Sequence, residues 1–438
     1  MQKLIHPDQL RPPPSGTGPN EIQPSQVRPA ADFFIVLVGL TFLMNAIGRG
    51  ATESFAVFLL PVERDLQTTR SEIAMTYSIY MIVHGLTAPI AGQLIDRLGA
   101  RVTYATGLTF LAMSNFLAGY STELWHYYLA AGVLSGFGAA CLGMIVASAL
   151  LSRWFTKGMG FMMALPSAAV GGGMLVVPPL VQLTLEHYSW RETHQMLGIL
   201  IAALLAFVIV LPLGRMTRGS VDWRRMRAAH VASGAQSWTA LRAMRTGAFW
   251  ALFGLYFFTS VAAYAVLPHS VAFLVEKGFD KVWAASAFGI TGALSVIGIL
   301  LMGWFSDYAS RLASVTISKF VTLTGIICLV FVSWYPSWIL VYGFVLCFGL
   351  MQGARGPIIA VMVSILFRGG SVGTIFGALA LGLGLGAGAG SWISGELHDR
   401  TGNYEASFIF AAVASFTGLA IYWLSTSLRT EKPAPMPF

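Results

Sequence analysis

Arg355 stands in the apolar segment Gln352-Gly-Ala-Arg355-Gly-Pro357, with no carboxylate within seven positions on either side. An arginine at the centre of a bilayer costs about 2.5 to 3.5 kcal/mol on insertion scales, so it faces a wet cavity or a partner. Its planar fork of N–H donors matches a carboxylate bidentately, and binding an organic anion is the chemistry it offers. Gln352, three positions earlier, shares its helical face. The structural alternative is an arginine that snorkels or is satisfied by helix-end carbonyls.

A second polar group lies near the start of the chain. Asn45, Arg49 and Glu53 are spaced four apart and form one stripe on a helix. Arg49 and Glu53 either neutralise each other as an i,i+4 pair or meet the solute directly. If they pair, Arg355 is the uncompensated positive charge and the cavity suits a monoanion. If Glu53 instead takes up and releases a proton, it is a coupling acid. Tyr77, Tyr80 and His84 share one helical face, and Tyr256, Ser260 and Tyr264 share another. His84 is a candidate proton relay; Tyr256 and Tyr264 are candidate solute contacts. The plainer role for each is a hydrogen bond between helices.

Such residues need elements that hold them in a membrane. Of the 438 residues 56% are hydrophobic and 11% charged, and the mean hydropathy is +0.69. A water-soluble domain has about 45 to 50% apolar and about 25% charged residues, so an integral membrane protein is indicated. About 20 apolar residues cross a bilayer as a helix. Twelve candidate spans open near Phe33, Ile73, Val102, His126, Met159, Gln195, Ala248, Trp283, Ser314, Trp338, Ser371 and Glu405. The first is too long for a cleavable signal peptide. Residues 1–31 hold seven prolines and few large apolar residues, the composition of a disordered tail.

Nineteen Lys and Arg fall on the side that carries both ends of the chain and six on the other. Basic residues favour cytoplasmic loops, so both termini are expected in the cytoplasm. Lys319 counts among the nineteen. The net charge of +8 follows from this topology; with no basic run among exposed aromatics, nucleic acid is not an expected partner. Cys141, Cys328 and Cys347 have neither metal-cluster nor disulfide-framework spacing. The alternate glycines Gly382 to Gly390 lack the Lys-Ser/Thr of a phosphate loop and suit close helix packing. Gly171 to Gly173, with Pro166, Pro178 and Pro179, make the fifth span either a kinkable gate or a packing surface.

The chain also repeats itself. Gly92-x3-Asp96-Arg97-x-Gly99-x-Arg101 follows the second span, and Gly303-x3-Asp307-x3-Arg311 follows the eighth, 211 positions on. Tyr127 to Phe155 overlays Ile339 to Phe367, which sets Ala140 and Gly143 opposite Gln352 and Arg355. The polar pair therefore belongs to one repeat alone. The expected organisation is a tail (1–31), a six-helix bundle (32–213), a basic cytoplasmic linker (214–247), a second bundle (248–428) and a short tail (429–438). Parallel repeats with a midplane site between them characterise secondary transporters.

On the loop at Gly92 to Arg101 and its echo at Asp307, everything after residue 31 resembles the major facilitator superfamily. Phe55-Ala-Val-Phe58 with Pro61, Arg153-Trp-Phe155 with Lys157-Gly158, and Thr374-Ile-Phe-Gly377 are similar to segments of its monocarboxylate and oxalate/formate transporters. The resemblance implies an all-α fold of twelve helices in two pseudo-symmetric six-helix bundles, and cavity-lining first and seventh spans. It implies that Asp96, with Arg97, Arg101 and Asp307, forms a conformational latch, Asp96 accepting from the N-terminal amides of the eleventh helix. Monocarboxylate relatives often carry a Lys near the position of Glu53, and a basic residue in the eighth or eleventh span. Here there is no Lys at Glu53, and no Lys or Arg between Trp283 and Phe305 or between Ser371 and Ile393. The reading is a secondary transporter of a small organic anion, a monocarboxylate, in a bacterial inner membrane. It acts by alternating access as a monomer, with a proton as candidate co-substrate and no cofactor, metal or enzymatic activity. The alternatives are an exchanger or exporter of a dicarboxylate or amphipathic compound, or a membrane sensor.

Overall fold

The computed structural model describes residues 31–151, 153–154, 159–210, 240–308, 311–353, 355, 359, 362–363, 366–367 and 372–429. The tails and most of the basic linker expected from the sequence, with Phe155, Lys157 and Pro357, lie outside them. Contacts divide the chain after Val36. Residues 31–36 are the described part of the first unit and begin a helix; the packing below lies within 37–438.

Every described element is a helix. In order they are α1 (Ala31–Glu53), α2 (Phe55–Leu66), α3 (Arg70–Arg97), α4 (Gly99–Ala118), α5 (the interrupted run Leu124–Leu151), α6 (Met159–Leu185), α7 (Trp190–Val210) and α8 (Gly247–Tyr264). Then come α9 (Ser270–Glu276), α10 (Lys281–Tyr308), α11 (Arg311–Trp334), α12 (Trp338–Gln352), α13 (Val372–Thr401) and α14 (Glu405–Leu424), with short helices at Ala240–Met244 before α8 and Thr426–Arg429 after α14. Among the described residues ten runs are long and apolar enough to cross a membrane, with α1–α2 and α8–α9 each forming one. The less apolar α4, of 20 residues, and α12, of 15, complete the twelve expected spans. Their outer faces carry apolar side chains such as Ile199 and Leu200 of α7, each 60% exposed. A bilayer accepts such a surface because helices satisfy their own backbone.

The first and seventh spans break at equivalent places. At Ser54 the hydroxyl bonds back to Gly50 O at 2.7 Å, and Thr52 does the same to Gly48 O at 2.9 Å; such back-bonding bends helices. In the seventh span a 3₁₀ turn, Leu267–His269, holds Pro268. The sequence reading placed a possible kink in α6 instead, yet α6 is one continuous helix through its three prolines. A Cβ on Gly171 would overlap the carbonyl of Gly292 in α10, and one on Gly173 that of Ala46. Those glycines serve close packing.

Within the first half α4 packs on α5 and α7; within the second α8 packs on α13 and α14, and α12 on α10 and α11. The halves meet where α3 packs on α13, α6 on α10 and α2 on α9. Under the internal repeat the first two are the same contact made twice. Lys319 is a correction: it lies inside the span Leu312–Trp334 and is 8% exposed. A loop count misplaces it because it stands only eight residues into a long helix.

Candidate functional site

The break at Ser54 sets the last turn of α1 beside α3 and α8. Arg49 Nη2 lies 2.5 Å from Glu53 Oε1, so the i,i+4 pair exists. Glu53 is 1% exposed, and Tyr77 donates to its two oxygens at 3.0 and 3.1 Å. Arg49 donates from Nη1 to Tyr80 at 3.2 Å and from Nη2 to Tyr264 at 3.3 Å. Tyr80 passes its own proton to Thr52 Oγ1 at 3.1 Å. Tyr264 belongs to α8, so this neutral network crosses between the halves. Within it Arg49 Nε is left without a partner among the described residues.

Arg355 differs. Just past the end of α12, its guanidinium stands 4.9 Å from the Phe348 ring centre, and its buried Nη2 has no hydrogen-bond partner. Gln352 turns its Nε2 to the sulfur of Met174 in α6 at 3.7 Å, and its Oε1 is buried and unsatisfied. Lys319, which the sequence reading missed as a site residue, donates to Thr259 Oγ1 of α8. Arg355 lies within its electrostatic reach. Tyr264 accepts from Arg49 at 3.3 Å and lies within electrostatic reach of Arg355. An anion entering here would meet orphaned N–H donors in a low-dielectric setting, where they bind most strongly.

The other expected contacts are looser. Asn45 reaches only the sulfur of Met144, at 3.9 Å. Tyr256, 6% exposed, lies two turns from Tyr264 with its ring 6.3 Å from Phe376. The His84 ring is 6.0 Å from that of Tyr80. A cavity of about 30 Å³, room for one or two waters, adjoins Tyr77 and Tyr80 and is also lined by Thr52, Asn115, Tyr127 and His194.

Asp96 pairs with Arg153 Nη2 at 2.5 Å, within its own half. Arg97 and Arg101 are exposed, and Asp307 lies in α10 at a position whose side chain is outside the described ones. The opposite end of the bundle holds a cluster that the sequence reading missed. Arg70 contacts Glu63 at 2.9 Å, Glu276 at 2.7 Å and the Tyr404 hydroxyl. Its backbone N–H and that of Ser71 donate to Asp399 at 2.9 and 2.7 Å.

Two halves joined by paired helices, with buried charge near their shared centre, match one known architecture. The model of the Major Facilitator Superfamily matches residues 38–391. The chain belongs to that superfamily. It is therefore an integral membrane transporter and not an enzyme. It is 28% identical over 406 residues to an uncharacterized MFS-type transporter, YcxA, of Bacillus subtilis, covering 90% of this chain and 94% of that one. It is 27% identical over 402 residues to monocarboxylate transporter 13 of Rattus norvegicus, covering 90% of each. Among solved structures, a D-xylose–proton symporter superposes with a TM-score of 0.71 at 13% identity, over 92% of this chain and all of that one. The nucleoside transporter NupG gives 0.67 at 15%, over 89% and 100%. These share the fold.

Proposed function

We propose that this transporter carries a small organic anion, a monocarboxylate, across the cytoplasmic membrane by alternating access, with Arg355 as the anchor. One observation carries the reading: Glu53 neutralises Arg49, while Arg355 keeps a buried N–H without a partner. Gln352, three positions earlier, keeps a buried Oε1 without a donor, which suits a hydroxyl on the solute and not its carboxylate. The similarity to monocarboxylate transporter 13 supports the substrate class.

In the same proposal the two six-helix bundles span 32–213 and 248–428, and the charge bias sets both termini in the cytoplasm. Glu53 is the proton-coupling group, with the small cavity beside Tyr77 and Tyr80 as its water contact. Asp96 serves the cytoplasmic latch when that end closes. The test is counterflow in proteoliposomes loaded with short monocarboxylates, dicarboxylates or uncharged analogues. Labelled monocarboxylate accumulates against the first load only. Accumulation driven equally by dicarboxylates or by uncharged analogues overturns the class.

A further inference from the structure

The octapeptide pattern Gly-x-Leu-x-Asp-Arg-x-Gly occurs twice in this chain. It spans Gly92 to Gly99 at the end of α3 and Gly395 to Gly402 at the end of α13. These two helices pack against each other across the two halves and run antiparallel, so the two copies mark opposite ends of one helix pair.

At the second copy the contact is made. A helix leaves its first four amides without internal acceptors. In α3, Arg70 N and Ser71 N donate to Asp399 at 2.9 and 2.7 Å. The other two, of Thr69 and Glu72, form a capping box: Thr69 N donates to Glu72 Oε2 at 2.9 Å and Glu72 N to Thr69 Oγ1 at 3.3 Å. All four are accounted for, two of them by a carboxylate from the other half, where its charge also suits the helix dipole. Gly395 permits the approach, since a Cβ there would stand 2.8 Å from Arg70 O and from Ser71 Cα. Arg70 adds a second tie through its side chain to Glu276 and Tyr404.

At the first copy the same parts are apart. A Cβ on Gly92 would meet only Ile145, at 3.7 Å, within its own half, and one on Gly377 near the start of α13 would meet nothing within 4 Å. Asp96 pairs with Arg153 of its own half. Between the two copies the seam is close from Gly395 to Gly384 and opens beyond it. A Cβ on Gly384 would lie 2.9 Å from Met81 O, whereas one on Gly85 would keep 3.5 Å from Ala380 O.

We propose that Asp399 is the latch of the end closed in this structure, and that the transporter uses one device twice. Asp399 caps α3 when this end is shut, and Asp96 caps α13 when the opposite end is shut, so the two are made alternately. The inference rests on the transport fold and not on which solute is carried.

The test measures distances by electron paramagnetic resonance in a chain whose Cys141, Cys328 and Cys347 are replaced by alanine. Labels on the exposed residues Thr122 and Asn403 flank the closed end. Without any solute, the otherwise unaltered chain gives one short distance and Asp399→Asn adds a longer population. Adding Asp96→Asn to Asp399→Asn returns the distribution towards the short distance, because both latches are then weakened. Simple structural damage would instead broaden the double variant further. Gly395→Ala, which wedges the contact without touching charge, also produces the longer population and carries the test should Asp399→Asn fail to fold. An unchanged distribution in either single variant, or a double variant no shorter than Asp399→Asn, overturns the proposal.

Discussion

Glu53 sits one helical turn beyond Arg49, and their side chains meet at 2.5 Å while Tyr77 donates to both carboxylate oxygens. The pair carries no net charge, yet each partner depends on the other. Removing one member of a buried pair costs about 3 to 5 kcal/mol, because the survivor is left uncompensated. Glu53→Gln should therefore lower the thermal stability of purified protein by an amount in that range. The protein that remains should exchange solute on both sides but lose the pH dependence of net uptake. Uptake that still follows an imposed proton gradient in Glu53→Gln liposomes would assign coupling elsewhere, with His84→Gln the next variant to measure.

The anchor role of Arg355 separates charge from shape. Lys keeps the charge but loses the fork, and a charge-assisted hydrogen bond contributes roughly 1.5 to 3 kcal/mol. At 1.4 kcal/mol per decade, carboxylate affinity should fall about tenfold to a hundredfold in Arg355→Lys. Arg355→Gln should abolish binding while expression stays normal, since losing an intramembrane charge does not penalise insertion. Isothermal titration of both variants decides. Wild-type affinity in Arg355→Gln would shift the anchor to Arg49.

Lys319 is a buried amine of the same half that donates to the Thr259 hydroxyl and lies within electrostatic reach of Arg355. Lys319→Met preserves length and removes the charge. Anion affinity should fall about threefold to tenfold, which is roughly 0.7 to 1.4 kcal/mol, with the maximal rate nearly unchanged. Thr259→Ala should give a smaller fall. A loss confined to the rate, with affinity intact, would make Lys319 a structural residue only.

Asp96→Asn keeps the shape of its side chain but breaks the pair with Arg153. Transport should slow while solute binding stays measurable. Cysteine labelling at Gly92→Cys should increase, because this end closes less often. Equal labelling and equal transport would remove Asp96 from the latch.

Much of this was legible in the sequence because membrane helices announce themselves by continuous apolar length. The Arg49–Glu53 geometry follows from a spacing of four within one helix, and the isolation of Arg355 from the absence of nearby acids. Lys319 was not legible, since a charge eight residues into a span looks like a loop charge until its partner on another helix is seen. Asp399 and Arg70 escaped for a related reason: they stand at helix ends 329 positions apart and meet only through the antiparallel pairing of α3 with α13. The repeated octapeptide was the available signal, but it falls outside the 211-residue period that relates the two halves. The break at Ser54 was hidden because hydroxyl back-bonding leaves no composition mark, whereas Pro268 marked the one at Leu267–His269.

Gly384 sets the backbone of α13 against the backbone of α3 with hardly a side chain between them. Such a seam has few knobs to lift out of holes, so one helix can roll over the other as a lever does on its fulcrum. Asp96 lies eleven residues beyond Gly85, an arm of about 16 Å at 1.5 Å per residue. Each ten degrees of roll then sweeps the end of the arm through about 3 Å. A modest rotation therefore moves the far end of the helix by several ångströms while the fulcrum stays in contact. The position of the fulcrum thus ties the width of the mouth to the angle of the roll.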